Sequence, residues 1–378
     1  MPDCKWRWMP LPLHAGPHPV TQFRFGAMTT LRMASFNLFN YAVPGIFWHE
    51  REGGLTYEED QWDSKRRWIA ETLAVIDADI VAFQEVVSVE DLRSLVVQAG
   101  YPHFASVTEP RFLKNDADVF VNSTVAIASR HRIASAQEIK TFDRIIDQTL
   151  LDRAATYSRR PLRCVIDCPD LGPTVVYSAH FKSQGALFND EIVDVIEDWD
   201  TRIDTFFVER MFAGIDQVSK RAAEAGALYL QVREDLKADT EAPVVILGDL
   251  NEGPRSHTLS ILTQADPIFA VGSTLWTDVP DAHRFRRYTH RLYDAYALPP
   301  HAELERPVTY HANKRASILD YAIVSNGLNP ANPRHRGAVV RHEVFDAHFD
   351  LDQPRRLTSD HAPVIVTIEP RKDEPAQP

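Results

Sequence analysis

Residues 244–254 read VVILGDLNEGP. An aliphatic run without a charge describes a strand buried on both faces, the kind found inside an α/β sheet. The run then meets Gly248 and delivers Asp249 and Asn251, two positions apart. A strand of this kind has no use for a carboxylate at its end unless something pairs with it. Either the two polar residues close an Asx turn, or they belong to a site assembled where several strands end.

Outward from this run, short apolar stretches alternate with amphipathic or polar ones. Strands are expected at 31–39 (LRMASFNLF), 78–86 (ADIVAFQEV), 123–129, 161–168, 174–181 (TVVYSAHF), 243–250, 317–325 (SILDYAIVS) and 362–369 (APVIVTIE). Helices are expected at 61–76, with Trp62, Ile69, Leu73 and Ile76 on one face, at 89–100, closed by Gly100, and in the second half of the charged segment 186–237. The stretch 325–358 reads as loop. Elements spread over the whole chain without a Gly- or Ser-rich linker argue for one large α/β domain over residues 31–369. The proline-rich residues 1–30 read as a disordered tail or a misassigned start, with Met28 or Met33 as alternatives, and 370–378 as a second tail.

The 378 residues are 44% hydrophobic, enough for a sizeable core, and carry a net charge of −12. That balance disfavours a sequence-independent grip on nucleic acid, though a locally basic groove or bound cations can offset it. Three cysteines (Cys4, Cys164 and Cys168) are too few for a disulfide framework, so a reducing, cytoplasmic compartment and a monomer are expected. Cys164 and Cys168 share a strand face but lie roughly 13 Å apart at ~3.3 Å per residue, too far to bridge. No uninterrupted apolar stretch of about 18 residues suggests a membrane anchor.

Five of the expected strands share one oddity: polar groups that a simple core does not ask for. Asn37 interrupts SFNLFN, Glu85 ends AFQEV, His180 ends YSAH, Asp249 and Asn251 end VVILGDLN, and Asp360 and His361 precede the last strand. Singly, each has an ordinary reading as a sheet amide, helix-capping acid, turn former or core histidine. Gathered at one end of a sheet, they become mutual partners through a cation. Carboxylates and an amide, with almost no sulfur, suit a hard ion such as Mg²⁺ or Mn²⁺. Two histidines beside them suit phosphoryl chemistry. No Cys or Ser nucleophile is framed, which favours attack by an activated water.

The ordered run SFNLFNY, DIVAFQEV, HFKSQG, VILGDLNEGP, ILDYAIVS and SDHAPV resembles the endonuclease/exonuclease/phosphatase superfamily over residues 31–369. The resemblance implies a four-layer α/β (α+β) sandwich, two mixed β-sheets packed face to face with helices on both outer faces. It implies a divalent-metal-dependent phosphoester hydrolase, a nuclease or phosphodiesterase acting on DNA or RNA, with a small or lipid phosphoester as the alternative substrate. A non-catalytic binding protein is the third reading, disfavoured because the acids and histidines are all in place. Glu85 would be the principal ligand of Mg²⁺ (or Mn²⁺), with Asn37 beside it and Asp360 completing the site. Asp249 would orient or deprotonate water, and Asn251 would hold that water or a phosphate oxygen. His361, oriented by Asp320, and His180 would contact the phosphate from two sides. Lys182 and Ser183 of HFKS, Arg221 and Tyr310 are the expected substrate contacts. Tyr288 and Arg315, in the basic and aromatic stretches 286–294 and 306–315, are further candidates for a strand-binding groove.

Overall fold

The computed structural model describes residues 30–48, 54–149, 156–185, 190–299, 305–312 and 315–371. Of the expected tails 1–30 and 370–378, residues 1–29 and 372–378 lie outside this set, as do residues 313–314.

Two six-stranded sheets dominate the architecture. Their strands, in chain order, are β1 Leu31–Tyr41, β2 Ile80–Val86, β3 His103–Ala105, β4 Thr124–Ser129, β5 Ile133–Glu138, β6 Leu162–Cys168, β7 Gly172–His180, β8 Val244–Asp249, β9 Leu292–Asp294, β10 Asp320–Ser325, β11 Gly337–Val344 and β12 Val364–Pro370. Sheet one runs β11-β12-β1-β2-β4-β3 and sheet two runs β9-β10-β8-β7-β6-β5. Both are mixed, because β1 pairs parallel with β2 and antiparallel with β12, while β8 pairs parallel with β7 and antiparallel with β10.

Three hydrophobic layers separate the sheets and helices. Along β1, Ala34, Phe36 and Leu38 point outward and pack with Ile69 and Leu73 of helix α1 (Glu59–Ile76) and Leu92 and Leu95 of α2 (Val89–Gln98). Met33, on the opposite face of β1, packs between the sheets with Ile80, Val176, Val245 and Val366. The outer face of sheet two, with Tyr177, Ile246 and Ile323, meets Leu228 and Val232 of α3 (Trp199–Ala238) and Leu259 of α4 (His257–Thr263). Helix, sheet, sheet and helix therefore form the expected four-layer sandwich.

Helix α1 begins earlier than the apolar pattern predicts because Glu58 and Gln61 form a reciprocal capping box that satisfies its first amides. Helix α3 spans 40 residues and begins at Trp199, so it covers part of the first half of the charged segment as well as the second. The stretch 325–358, expected as loop, contains β11, a partly exposed edge strand with Arg341, His342 and Glu343 in its second half, which hides its apolar pattern. The last strand runs to Pro370, beyond the expected domain boundary, and pairs it with Gly337. Cys164 and Cys168 are both free and buried on β6.

Candidate active site

The register of sheet two brings together residues that lie far apart in the chain. Asp249 at the end of β8 is paired with His180 of β7 on one side and with Asp320 of β10 on the other. Directly opposed residues share a sheet face, so three polar side chains stand in a row. Gly248 permits this pairing: a Cβ there would lie 2.0 Å from the Ala179 carbonyl oxygen, a contact no side chain tolerates. Asp249 divides its carboxylate. Oδ1 accepts the Asn251 amide at 2.9 Å, closing an Asx turn, while Oδ2 lies 3.4 Å from His180 Nε2 and 3.6 Å from His361 Nε2. The turn reading and the site reading are thus two uses of one side chain.

Sheet one supplies the facing wall. Asn37, on β1, donates its amide to Glu85 at 3.2 Å and to Asp249 at 3.1 Å, spanning the two sheets. Its own oxygen accepts the Phe39 amide at 3.0 Å, so in this arrangement Asn37 orients the carboxylates. Glu85 accepts the Asn40 amide at 2.8 Å with its other oxygen. The backbone here is strained: Phe39, Asn40 and Glu85, and Asn251 across the site, all adopt left-handed conformations with φ of 52–60°. Each costs about 1–3 kcal/mol for a non-glycine residue and persists only where the surroundings enforce it. Beneath them Gln84 links Ser35 to Ser178, a buried polar tie between the sheets.

The two histidines are driven to opposite charge states. Burial alone would depress His361, but the carboxylates of Asp320, 2.8 Å from Nδ1, and Asp249 reverse that and hold its pKa well above the ordinary value. Burial pushes His180 well below, with Arg159, His361 and Lys182 adding to the effect, and its Nδ1 is without a hydrogen-bond partner. Burial also lifts Asp249, with Asp320 and Glu85 adding and His361 opposing. Asp360 is lifted by burial too, with Glu85 adding and His361 opposing.

These acids fit a divalent cation. Glu85, Asp249 and His361 offer ligand atoms within 4.8 Å of one another, and Asp360 Oδ1 is buried without a hydrogen-bond partner. A protonated His361 donates and does not ligate, which leaves an oxygen-rich set suited to a hard ion.

Glu85, His180, Asp249, Asn251, Asp360 and His361 line one open cavity of about 1010 Å³. Tyr310 and Ser183 also line it, the Tyr310 ring 4.8 Å from that of His361. Arg315 is at its wall, whereas Tyr288 is not. Lys182 is half-buried outside the lining, its backbone amide held by Glu224 at 2.7 Å and its ammonium 3.4 Å from Ser183 Oγ. Arg221, expected to contact phosphate, is buried instead. It pairs with Glu252 at 2.6 Å and donates to the Lys182 and Ser183 carbonyls, so its charge is spent on holding the HFKS loop. Sequence reasoning missed Arg159 and Arg210 on the cavity wall, as well as Gln84 and Glu252. It also missed Lys65, whose place between Trp62 and Ile69 on the apolar face of α1 was the available signal.

The Endonuclease/Exonuclease/phosphatase family model matches residues 34–361. The human Nocturnin catalytic domain, solved with a bound sulfate anion, is 15% identical, covering 90% of this chain and 95% of that chain with a TM-score of 0.52. An endonuclease/exonuclease/phosphatase family protein from Bacteroides thetaiotaomicron is 16% identical, covering 93% and 99% with a TM-score of 0.54. D. rerio TDP2, complexed with a single-strand DNA product, is 14% identical, covering 90% and 99% with a TM-score of 0.50. At these identities the likeness is one of fold. No curated protein sequence matches the chain. Among the described residues, no helix is long and apolar enough to cross a membrane.

Proposed function

The chain belongs to the endonuclease/exonuclease/phosphatase family, whose members are phosphoester hydrolases, and from that premise we propose that it is a divalent-metal-dependent phosphodiesterase acting on DNA or RNA. The observation that carries the reading is the constellation of the His180–Asp249–Asp320 row, His361 paired to Asp320, and the Glu85 and Asp360 carboxylates on the facing rim.

Glu85 and Asp360 would hold Mg²⁺ or Mn²⁺, with Asn37 orienting Glu85. When bound, the cation supplies charge stabilisation to the phosphate oxygens. Asp249, on the cavity lining, takes a proton from, or aligns, the attacking water, while Asn251 borders the same space. The His361 imidazolium donates from Nε2 to a non-bridging oxygen, with Asp320 fixing the tautomer at Nδ1. Neutral His180 contacts the phosphate from the other side. Arg159, Arg210 and Arg315 around a cavity much larger than one phosphate favour a polyanionic substrate over a single small ester. Ser183 and Tyr310 flank the leaving group or a neighbouring base.

The net charge of −12 supports a second reading, a small or lipid phosphoester substrate. Free, buried Cys164 and Cys168 fit a reducing cytoplasm, and the reading includes a monomer. The test is turnover of bis-p-nitrophenyl phosphate, single-stranded DNA, RNA and sphingomyelin with Mg²⁺ or Mn²⁺, with and without chelator. Turnover indifferent to chelator ends the metal-dependent reading; turnover of lipid alone moves the substrate to the second one.

A further inference from the structure

Lys65 has no exposed surface, although it sits on the helix face that packs Trp62 and Ile69 into the core. A methionine would fill the same volume without the cost of burying an ammonium. Its Nζ donates to the carbonyl of Thr358 and, at 3.4 Å, to that of Phe39. The Tyr57 hydroxyl spans the same two segments, 2.9 Å from the Arg356 carbonyl and 3.3 Å from that of Phe39. The Phe39 and Tyr57 rings flank the ammonium, with centroids 5.7 and 5.8 Å away. A third tie, from Ser359 Oγ to the Asn37 carbonyl at 2.8 Å, joins the same segments.

We propose that Lys65 and Tyr57 form a two-donor clasp that sets the spacing between the Glu85 side and the Asp360 side of the candidate cation site. The inference rests on the metal-dependent reading above. The Phe39 turn carries Asn37 and the Asn40 amide that hold Glu85, and Thr358 lies two residues before Asp360. Two carbonyls drawn to one ammonium fix one segment against the other, and the strained φ angles of Phe39, Asn40 and Glu85 need such an external restraint. The charge has a second use. Burial drives the Lys65 pKa down to about 7, while Asp360 and Glu85 act to raise it, so in its charged form Lys65 is their counter-charge. Lys65 and Tyr57 are positioning residues, neither of them lining the cavity.

Mn²⁺ titration of the full chain by electron paramagnetic resonance tests the clasp, together with amide hydrogen exchange of residues 356–361 in the metal-free protein. Lys65→Met weakens Mn²⁺ binding about tenfold or more, the scale of losing a residue that orients a ligand. Tyr57→Phe weakens it less, and Lys65→Arg restores most of it, which a purely volume-filling role does not predict. Exchange at 356–361 accelerates in both weakened variants while β8 keeps its protection. Folded Lys65→Met and Tyr57→Phe proteins with wild-type Mn²⁺ affinity overturn the proposal. If Lys65→Met does not fold, Tyr57→Phe, which loses only a hydroxyl, decides it by the same readout. If the wild-type protein binds no Mn²⁺, the metal-dependent reading is what fails. Exchange then judges the clasp: unchanged protection at 356–361 in Tyr57→Phe overturns it, and lost protection upholds it.

Discussion

At the rim of sheet two, Asp249 and Asp320 occupy regular strand positions and accept hydrogen bonds from Asn37, Asn251 and His361. At the facing rim of sheet one, Glu85 hangs from a left-handed backbone and Asp360 keeps one buried oxygen without a partner. The carboxylates of the first rim are hydrogen-bonded by protein groups; on the second, Asp360 Oδ1 has no hydrogen-bond partner. A hydrogen-bonded carboxylate beside an imidazolium suits proton handling, whereas a carboxylate on strained backbone next to one with an unpartnered oxygen suits a cation. The difference in packing supports the separate roles proposed for the two rims.

The largest expected effect breaks the sheet-two rim. Asp249→Asn preserves shape and the Asx turn but removes the proton acceptor, and kcat on a phosphodiester should fall by about 10²–10⁴. Mn²⁺ binding by the same variant shows whether that rim also holds the ion. On the sheet-one rim, Glu85→Gln should cost more Mn²⁺ affinity than the roughly 10–100-fold typical of outer partners, read by titration. In the wild type, Mn²⁺ affinity should rise with pH, because burial holds Asp360 protonated above the usual carboxylate range and protons compete with the ion.

A smaller effect sharpens the contrast. Asp320→Asn removes a carboxylate that holds His361 protonated, so the alkaline limb of the kcat/KM profile should move to lower pH. At a fixed alkaline pH, kcat/KM should then drop about tenfold for every pH unit the limb moves. Stability follows the same sign. His361 has a folded pKa above its unfolded one, so its stabilisation is complete below about pH 6.5 and is lost as pH rises through the folded value. Urea melts with chelator present should therefore show the largest difference between wild type and Asp320→Asn below that pH, shrinking as the solution becomes alkaline.

Legibility of the fold followed burial. The interior strands β1, β2, β4 and β12 of sheet one, and β6, β7, β8 and β10 of sheet two, were all readable as apolar runs. The four edges β3, β5, β9 and β11 were not. Each has one neighbour and a partly exposed face, so IASAQE of β5 pairs in a sheet yet carries no hydrophobic signature. The site behaved similarly. Polar residues at the ends of buried strands announced themselves against an apolar background, and the structure gathers Asn37, Glu85, His180, Asp249, Asp320, Asp360 and His361 around one centre. Arg221 misled because a basic residue on a helix reads identically whether it faces substrate or, as here, a buried Glu252.

By itself, the sequence determined the alternation of buried strands and helices and the polar residues that break it, because local burial and chemistry are written in residue type. Tertiary structure decided the rest. Pairing across strands put Asp249 between His180 and Asp320 and aimed His361 at both acids. That proximity sets the histidines in opposite protonation states and turns Arg221 and Lys65 inward, since charge depends on neighbours that the linear order does not specify.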